Sequence, residues 1–333
     1  MTVWAVAGAT GFIGRHLCRA VADQGDRVVA LVPPGRVGPP LPDGRLEVRT
    51  VDFGDSPDLE RALTGIDVCL DLVAPKSGGP LQGESSTGGA PRPGGGTLIA
   101  DVVGALLKAG SRAGLRRLVL ASSSAVFGHR WEPVGDESRP APDTPYGWAR
   151  LFGEEQAVAL GSRLGIEIVV ARLTETFGPG SRPHAPLFRA VAHGGFRVVG
   201  DGRHPHQLAS VEAAVRALVA CGRVPEAASR VLLISGPEIR LREWIEAIAT
   251  AAGTSVRFMG ALGAPGRLAL RTTSWLPVWA AGGVRRQSWD YLLRPRAYDI
   301  SASVRLLGPY HGSNFHEAVH RTMTWYRRHD FRT

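Results

Sequence analysis

The stretch Val3-Trp-Ala-Val-Ala-Gly8-Ala-Thr-Gly11-Phe-Ile-Gly14 decides the fold of this 333-residue chain. Val3 to Ala7 form a short apolar run, glycines follow at 8, 11 and 14, and Arg15 to Ala22 continue as a helix. A strand that passes through a glycine turn into a helix start is suited to an anion. The glycines let backbone approach a pyrophosphate, and the helix N-terminus supplies free N–H groups and a positive dipole end. The reading is a dinucleotide-binding unit contacted by Gly8, Thr10, Gly11, Phe12, Ile13, Gly14 and Arg15. The alternative is an ordinary strand-to-helix turn that binds nothing.

Outward from this unit, strand-like and helical runs alternate. Val28 to Val32, Leu46 to Val51, Val68 to Val73, Leu115 to Ala121 and Glu167 to Ala171 read as strands two to six. Helices are expected from about Pro57 to Leu63, from Thr97 to Ala113 and from Pro145 to Leu164. That order predicts an α/β fold with a doubly wound parallel sheet. Pro75 to Gly96 is rich in Gly, Pro and Ser and follows a strand's C-terminal end, where ligands sit in such sheets. It reads either as a mobile active-site flap or as low-complexity filler. After about Thr174 the pattern becomes irregular. We expect residues 1–173 to form the dinucleotide-binding domain, with a returning strand near 230–236, and 174–333 to form mainly a smaller substrate-binding lobe.

Bulk properties narrow the class. Charged residues make up 21% of the chain, which fits a folded globular protein. The formal charge is +9, but Lys76 and Lys108 are the only lysines and the other basic residues are arginines. A positive balance suits an anionic cofactor or substrate. Nucleic-acid binding would need clustered basic residues with interleaved aromatics, and only short pairs such as Arg285-Arg286 and Arg327-Arg328 occur, so no nucleic-acid partner is expected. Cys18, Cys69 and Cys221 lie far apart in apolar segments without metal spacing, and read as free thiols of a reducing cytoplasm. No metal is expected. The apolar N-terminus lacks a cleavage region, so no signal peptide is expected. The stretch Leu268 to Ala281 contains Arg271 and Pro277 and is too short to span a bilayer, so no membrane partner is expected either.

Further motifs carry a family resemblance: Ser122-Ser123-Ser124-Ala125-Val126-Phe127-Gly128, Tyr146-Gly147-Trp148-Ala149-Arg150, and Arg172 to Gly180. Val231 to Glu238, Tyr298 to Ser301 and Leu306-Leu307-Gly308 follow in order. With these the chain resembles the extended short-chain dehydrogenase/reductases of the nucleotide-sugar epimerase/dehydratase group, over nearly its whole length. The resemblance implies a Rossmann fold and a tyrosine, Tyr146, acting as general acid/base on a carbinol or ketone. Free tyrosine has a pKa of about 10 and needs help at neutral pH. Relatives use a lysine four residues on; here that residue is Arg150, which keeps the charge and the helix face but is planar and cannot donate a proton. The strand-five hydroxyl that orients the reacting oxygen is implied to be Ser123, with Ser124 as the second candidate.

The resemblance also marks departures in the binding residues. NAD-preferring relatives usually end strand two with a carboxylate, whereas this chain reads Leu31-Val32-Pro33-Pro34-Gly35-Arg36. Arg36, helped by Arg15, could pair with a 2′-phosphate, so NADP is expected first and NAD second; a solvated loop charge is the alternative. Asp52 with Phe53 at the exit of strand three, and Val73 with Ala74 at the exit of strand four, complete the implied cofactor contacts. In the substrate lobe, Gly200-Asp201-Gly202 matches a family turn, but His206 stands where many nucleotide-sugar enzymes have an arginine, and Glu175 stands where an asparagine is frequent. His204 and His206 read either as ligand contacts or as surface residues.

The leading expectation is an NAD(P)-dependent oxidoreductase acting on a sugar-like, nucleotide-activated and anionic small molecule, as a ketoreductase or as an epimerase/dehydratase. The competing one is a non-catalytic NADP-binding sensor or partner-binding protein on the same fold. Relatives pair the helices 97–113 and 145–164 across a two-fold axis, so a homodimer is expected, with Ala105, Leu106, Ala109, Ala149, Phe152 and Ala157 at its face.

Overall fold

A computed structural model describes residues 1–39, 45–74, 98–130, 132–198, 200–260, 295–312 and 314–330. Its centre is a seven-stranded sheet in the order β11-β7-β5-β4-β1-β2-β3. These strands are β1 (Val3–Ala7), β2 (Arg27–Val32), β3 (Leu46–Thr50), β4 (Val68–Asp71), β5 (Arg117–Ser123), β7 (Glu167–Leu173) and β11 (Arg230–Ile234). Every pairing among them is parallel. The order reverses beside β1, between β2 on one side and β4 on the other. That switch point is where a doubly wound sheet opens a crevice at its carboxyl edge.

The central strands are buried on both faces and are therefore apolar nearly throughout. Side chains alternate between two cores. Trp4, Val6, Val68 and Leu70 pack on one face with α1 (Phe12–Asp23) and α6 (Val211–Arg223). Ala5, Ala7, Cys69 and Leu118 pack on the other, under α2 (Ser56–Leu63), α3 (Leu98–Ala113) and α4 (Pro145–Leu164). A third core gathers Phe177 of β8 (Thr176–Phe177), Phe188 of α5 (Ala185–Ala192), Trp244 of α7 (Leu241–Ala252) and Tyr326 of α9 (Phe315–His329). The remaining short elements are β6 (Val134–Gly135), β9 (Arg197–Val198), β10 (Ala209–Ser210), β12 (Arg257–Phe258), β13 (Tyr298–Asp299) and α8 (Ser301–Leu307).

The doubly wound parallel sheet read from the sequence is the observed fold, with instructive shifts at its edges. The fifth strand begins at Arg117 and not at Leu115, because Gly114 takes φ +78° and the Leu115 amide still donates to Gly110 in closing α3. The same strand runs on to Ser123. The fourth stops at Asp71, whose Oδ1 accepts the Val73 amide at 2.9 Å and ends the ladder. Helix α6 was not anticipated; Ser210 caps it, its side chain accepting from the Ala213 amide. The returning strand is β11, paired with β7 from Arg230↔Val169 to Ile234↔Leu173. Pro75 to Gly96 and Leu268 to Ala281 lie outside the described residues. Among the described residues, no helix is long and apolar enough to cross a membrane.

Candidate active site

Because the sheet is parallel, each strand ends at the same edge, and the loops that carry the anticipated residues converge there. Gly8 to Gly14 follow β1, Arg36 follows β2, Asp52 and Phe53 follow β3, and Val73 and Ala74 follow β4. Ser123 and Ser124 close β5, and Glu175 follows β7, whose Leu173 pairs with Ser123.

The glycine turn is a cradle. Gly8 has φ +82°, and a Cβ there would sit 2.9 Å from the Leu72 backbone. A Cβ on Gly14 would lie 2.3 Å from the Gly8 carbonyl oxygen, so the helix can approach the turn only if residue 14 has no side chain. Gly11 caps α1 without a side-chain bond, which leaves the first-turn amides around Phe12 and Ile13 for a ligand. These features fit a dinucleotide pyrophosphate. Arg15 lies against the Gly178-Pro179-Gly180 turn, with its Nη2 3.3 Å from where a Cβ on Gly180 would stand. Arg36 is exposed on the turn closed by its amide and Pro33 O. The two arginines share no contact among the described residues. Asp52 is exposed and its Oδ1 accepts the Gly54 amide, while half-buried Phe53 packs on the sheet's second core.

The residues anticipated as reacting groups come from β5 and α4. Thr144 caps α4 through the Gly147 amide and Pro145 opens it, which sets Tyr146 in the first turn. Gly147 was not singled out in the sequence, yet a Cβ there would fall 2.5 Å from Ala125 O. It is the glycine that lets α4 close on the Ser124–Phe127 turn. Tyr146 remains 37% exposed, while Arg150, one turn further, is only 5% exposed. The Arg150 Nε donates to the Tyr146 hydroxyl at 3.0 Å, and its Nη1 donates to Ala121 O at 2.8 Å and Val73 O at 3.3 Å. The guanidinium thus ties the phenol to the ends of β4 and β5. The neighbouring serines are told apart by their partners. Ser122 is buried and donates to Glu154, which itself pairs with Arg172 at 2.7 Å. Ser123 Oγ is half-buried and, among the described residues, accepts only the Ala125 amide, at 3.2 Å, so its proton is available.

The residues anticipated on the substrate side lie in a charge cluster. Glu175 lies 3.0 Å from His184 Nε2 and 3.0 Å from Arg296 Nη1. Despite burial, those partners hold its carboxyl at about 2. His206 is fully buried, against the surface alternative, and burial followed by the Arg296 charge pushes its imidazole down to about 3, leaving it neutral. His204 is half-exposed, with its ring 6.3 Å from that of His206. His184 and Arg296 gave no local signal, because only tertiary packing brings them to Glu175.

The helices that carry this site pack tightly on each other, so much of the anticipated dimer face is interior. Leu106, Ala109, Ala149 and Ala157 are buried within the chain; Ala105 and Phe152 are partly exposed, and Val158 is 50% exposed.

Residues 4–234 match the model of the NAD dependent epimerase/dehydratase family. The chain is 28% identical over 262 residues to UDP-glucose 4-epimerase of Vibrio cholerae, covering 74% of each. It superposes on UDP-glucuronic acid 4-epimerase of Bacillus cereus in complex with NAD with a TM-score of 0.72, at 21% identity, covering 98% of this chain and 99% of that one. MoeE5 in complex with UDP-glucose and NAD gives a TM-score of 0.67 at 25% identity, with 98% and 99% covered. With the glycine cradle, the parallel sheet and a family match over most of its length, the chain belongs to the NAD-dependent epimerase/dehydratase family and is an enzyme of the extended short-chain dehydrogenase/reductase type.

Proposed function

We propose that this enzyme transfers hydride at a carbinol or ketone of a nucleotide-activated sugar, using Tyr146 as general acid/base. The observation that carries the reading is the 3.0 Å bond from Arg150 Nε to the Tyr146 hydroxyl, made at the carboxyl edge beside Ser123. A donor aimed at the phenol oxygen stabilises negative charge there when the proton leaves. The phenol keeps its own proton free for the reacting oxygen, and Ser123 orients that oxygen. The nicotinamide, when bound, accepts or returns the hydride. Gly8 to Gly14 would hold its pyrophosphate, and Val73 and Ala74 would line its path toward Tyr146.

Net reduction or epimerisation is favoured over dehydration. Loss of water needs an acid for the departing hydroxyl, and Ser124 and Ala125 beside Ser123 supply none. Glu175 is held ionised by His184 and Arg296 and cannot donate. Incubating the purified enzyme with nicotinamide dinucleotides and a panel of nucleotide sugars, with product analysis by mass spectrometry, tests the reading. Absence of turnover or exchange on every nucleotide sugar would refute the substrate class.

The cofactor preference we infer is NADP(H) over NAD(H). Strand β2 exits through Pro33-Pro34-Gly35 to Arg36 with no carboxylate to take the ribose hydroxyls, and exposed Arg36 is free to meet a 2′-phosphate. Calorimetric titration is expected to give at least about tenfold tighter binding of NADP(H), lost in Arg36→Ala. A preference for NAD(H) would overturn the choice.

We also infer a cytoplasmic homodimer through α3 and α4. Ala105, Phe152 and Val158 offer an apolar stripe on these helices. Light scattering at micromolar concentration is expected to give twice the 35.4 kDa chain mass, and Val158→Arg is expected to shift it to monomer.

A further inference from the structure

A carboxylate lies beneath the site and is used by none of the steps above. Asp71 ends β4, an otherwise apolar strand, and is 1% exposed. One oxygen, Oδ1, accepts the Val73 amide; the other, Oδ2, is buried and has no hydrogen-bond partner among the described residues. An unpaired buried carboxylate oxygen is costly, and an apolar residue would avoid that cost. Its placement is specific. Val73 donates its N–H to Asp71 and accepts at its C=O from Arg150, so a single residue joins the carboxylate to the guanidinium that holds Tyr146.

We propose that Asp71 is a positioning residue of the dinucleotide site, fixing the Val73–Ala74 segment through Oδ1 while its buried carboxyl couples dinucleotide binding to proton uptake. The proposal rests on the reading that Tyr146 and Arg150 face the nicotinamide end of the cofactor. The sheet neighbours of Asp71 are Ala7 and Leu120, both apolar. The charged and titratable groups acting on it are Arg150 from α4 and the Cys69 thiol on its own strand, which burial keeps protonated. Desolvation pushes the Asp71 carboxyl up to about 6, against the opposing pull of the Val73 amide and Arg150. An arriving pyrophosphate adds further negative charge at the same edge and favours the protonated acid. Dinucleotide binding is therefore accompanied by proton uptake at Asp71, and affinity falls as pH rises through about 6.

The sign for stability follows from the same shift. An acid whose folded pKa is raised binds its proton more tightly in the native state, so the fold loses stability as pH rises from the free-carboxylate value of about 4 to about 6 and loses no more above it. Asp71→Asn keeps an acceptor for the Val73 amide and removes the charge. It is expected to melt above the parent at pH 8 and to converge with it only below about pH 4.

The test is calorimetric titration of the full chain with NADH, whose nicotinamide is neutral and which carries no group ionising near this pH, in buffers of different ionisation enthalpy. The parent is expected to take up a fraction of a proton near pH 6.5, and Asp71→Asn none. At pH 8, Asp71→Asn is expected to bind NADH about threefold to tenfold more tightly than the parent, with the two converging at pH 5. Asp71→Ala, which also frees Val73, is expected to lose affinity at every pH. Binding by the parent without proton uptake overturns the proposal whatever the variants do, as does an Asp71→Asn curve that parallels the parent's. Absence of any dinucleotide binding overturns the cofactor reading and this proposal with it.

Discussion

Tyr146→Phe is expected to slow turnover by about a hundredfold to ten-thousandfold while leaving cofactor affinity within about threefold. The substitution removes one hydroxyl from a side chain that is 37% exposed and leaves its ring in place. Arg150 keeps its bonds to Ala121 O and Val73 O, so the guanidinium and the ends of β4 and β5 stay in position. What is lost is the group that moves the proton, and a positioned acid/base contributes that order of rate. Turnover and dinucleotide titration on parent and variant, measured together, check it. Parent-like turnover would remove Tyr146 from the chemistry and require another group to carry the proton.

Changes at Arg150 are expected to be nearly as large and to divide two roles. Arg150→Met leaves the phenol without its donor and strips the buried Ala121 carbonyl and the half-buried Val73 carbonyl of a partner. Each unsatisfied buried group costs about 1–3 kcal/mol. Melting temperature, cofactor affinity and turnover should all fall, the last by at least about a hundredfold. Arg150→Lys restores a charge that can reach the phenol from the same helix face. A single ammonium cannot reproduce the planar fork, in which Nε serves Tyr146 while Nη1 serves two carbonyls. Lysine is therefore expected to keep turnover within about tenfold of the parent and to lower stability by about 1–2 kcal/mol. Thermal melts beside kinetics read the two effects separately. If the lysine variant is as inactive as the methionine one, the fork's geometry and not its charge supports the chemistry.

Family-level resemblance aside, the sequence by itself determined the sheet and its carboxyl edge. Strand–glycine turn–helix at Val3 to Ala22, followed by alternating apolar runs, permits little but a parallel doubly wound sheet, since strands buried on both faces must be apolar throughout and crossovers must be helical. Parallelism then forces Gly8, Arg36, Asp52, Val73, Ser123 and Glu175 to one edge, and the i, i+4 spacing puts Tyr146 and Arg150 on one helix face. These are short-range rules, legible in a window of a few residues.

Tertiary structure alone decided which of the marked groups act together. Ser122 and Ser123 are alike in sequence; only the approach of Glu154 from α4 engages the first and leaves the second available. Gly147 looked incidental until Ala125 O was found 2.5 Å from where its Cβ would lie. His206 resembled a loop histidine, but Glu175, His184 and Arg296 converge on it from distant segments. Asp71 passed as one polar residue at a strand end. Its lack of a partner for Oδ2, and its link through Val73 to Arg150, exist only in the packed chain. The reason is common to all four. Local periodicity fixes which way a side chain leaves its strand or helix, whereas its burial, its partner and hence its charge depend on elements that meet it from elsewhere in the chain.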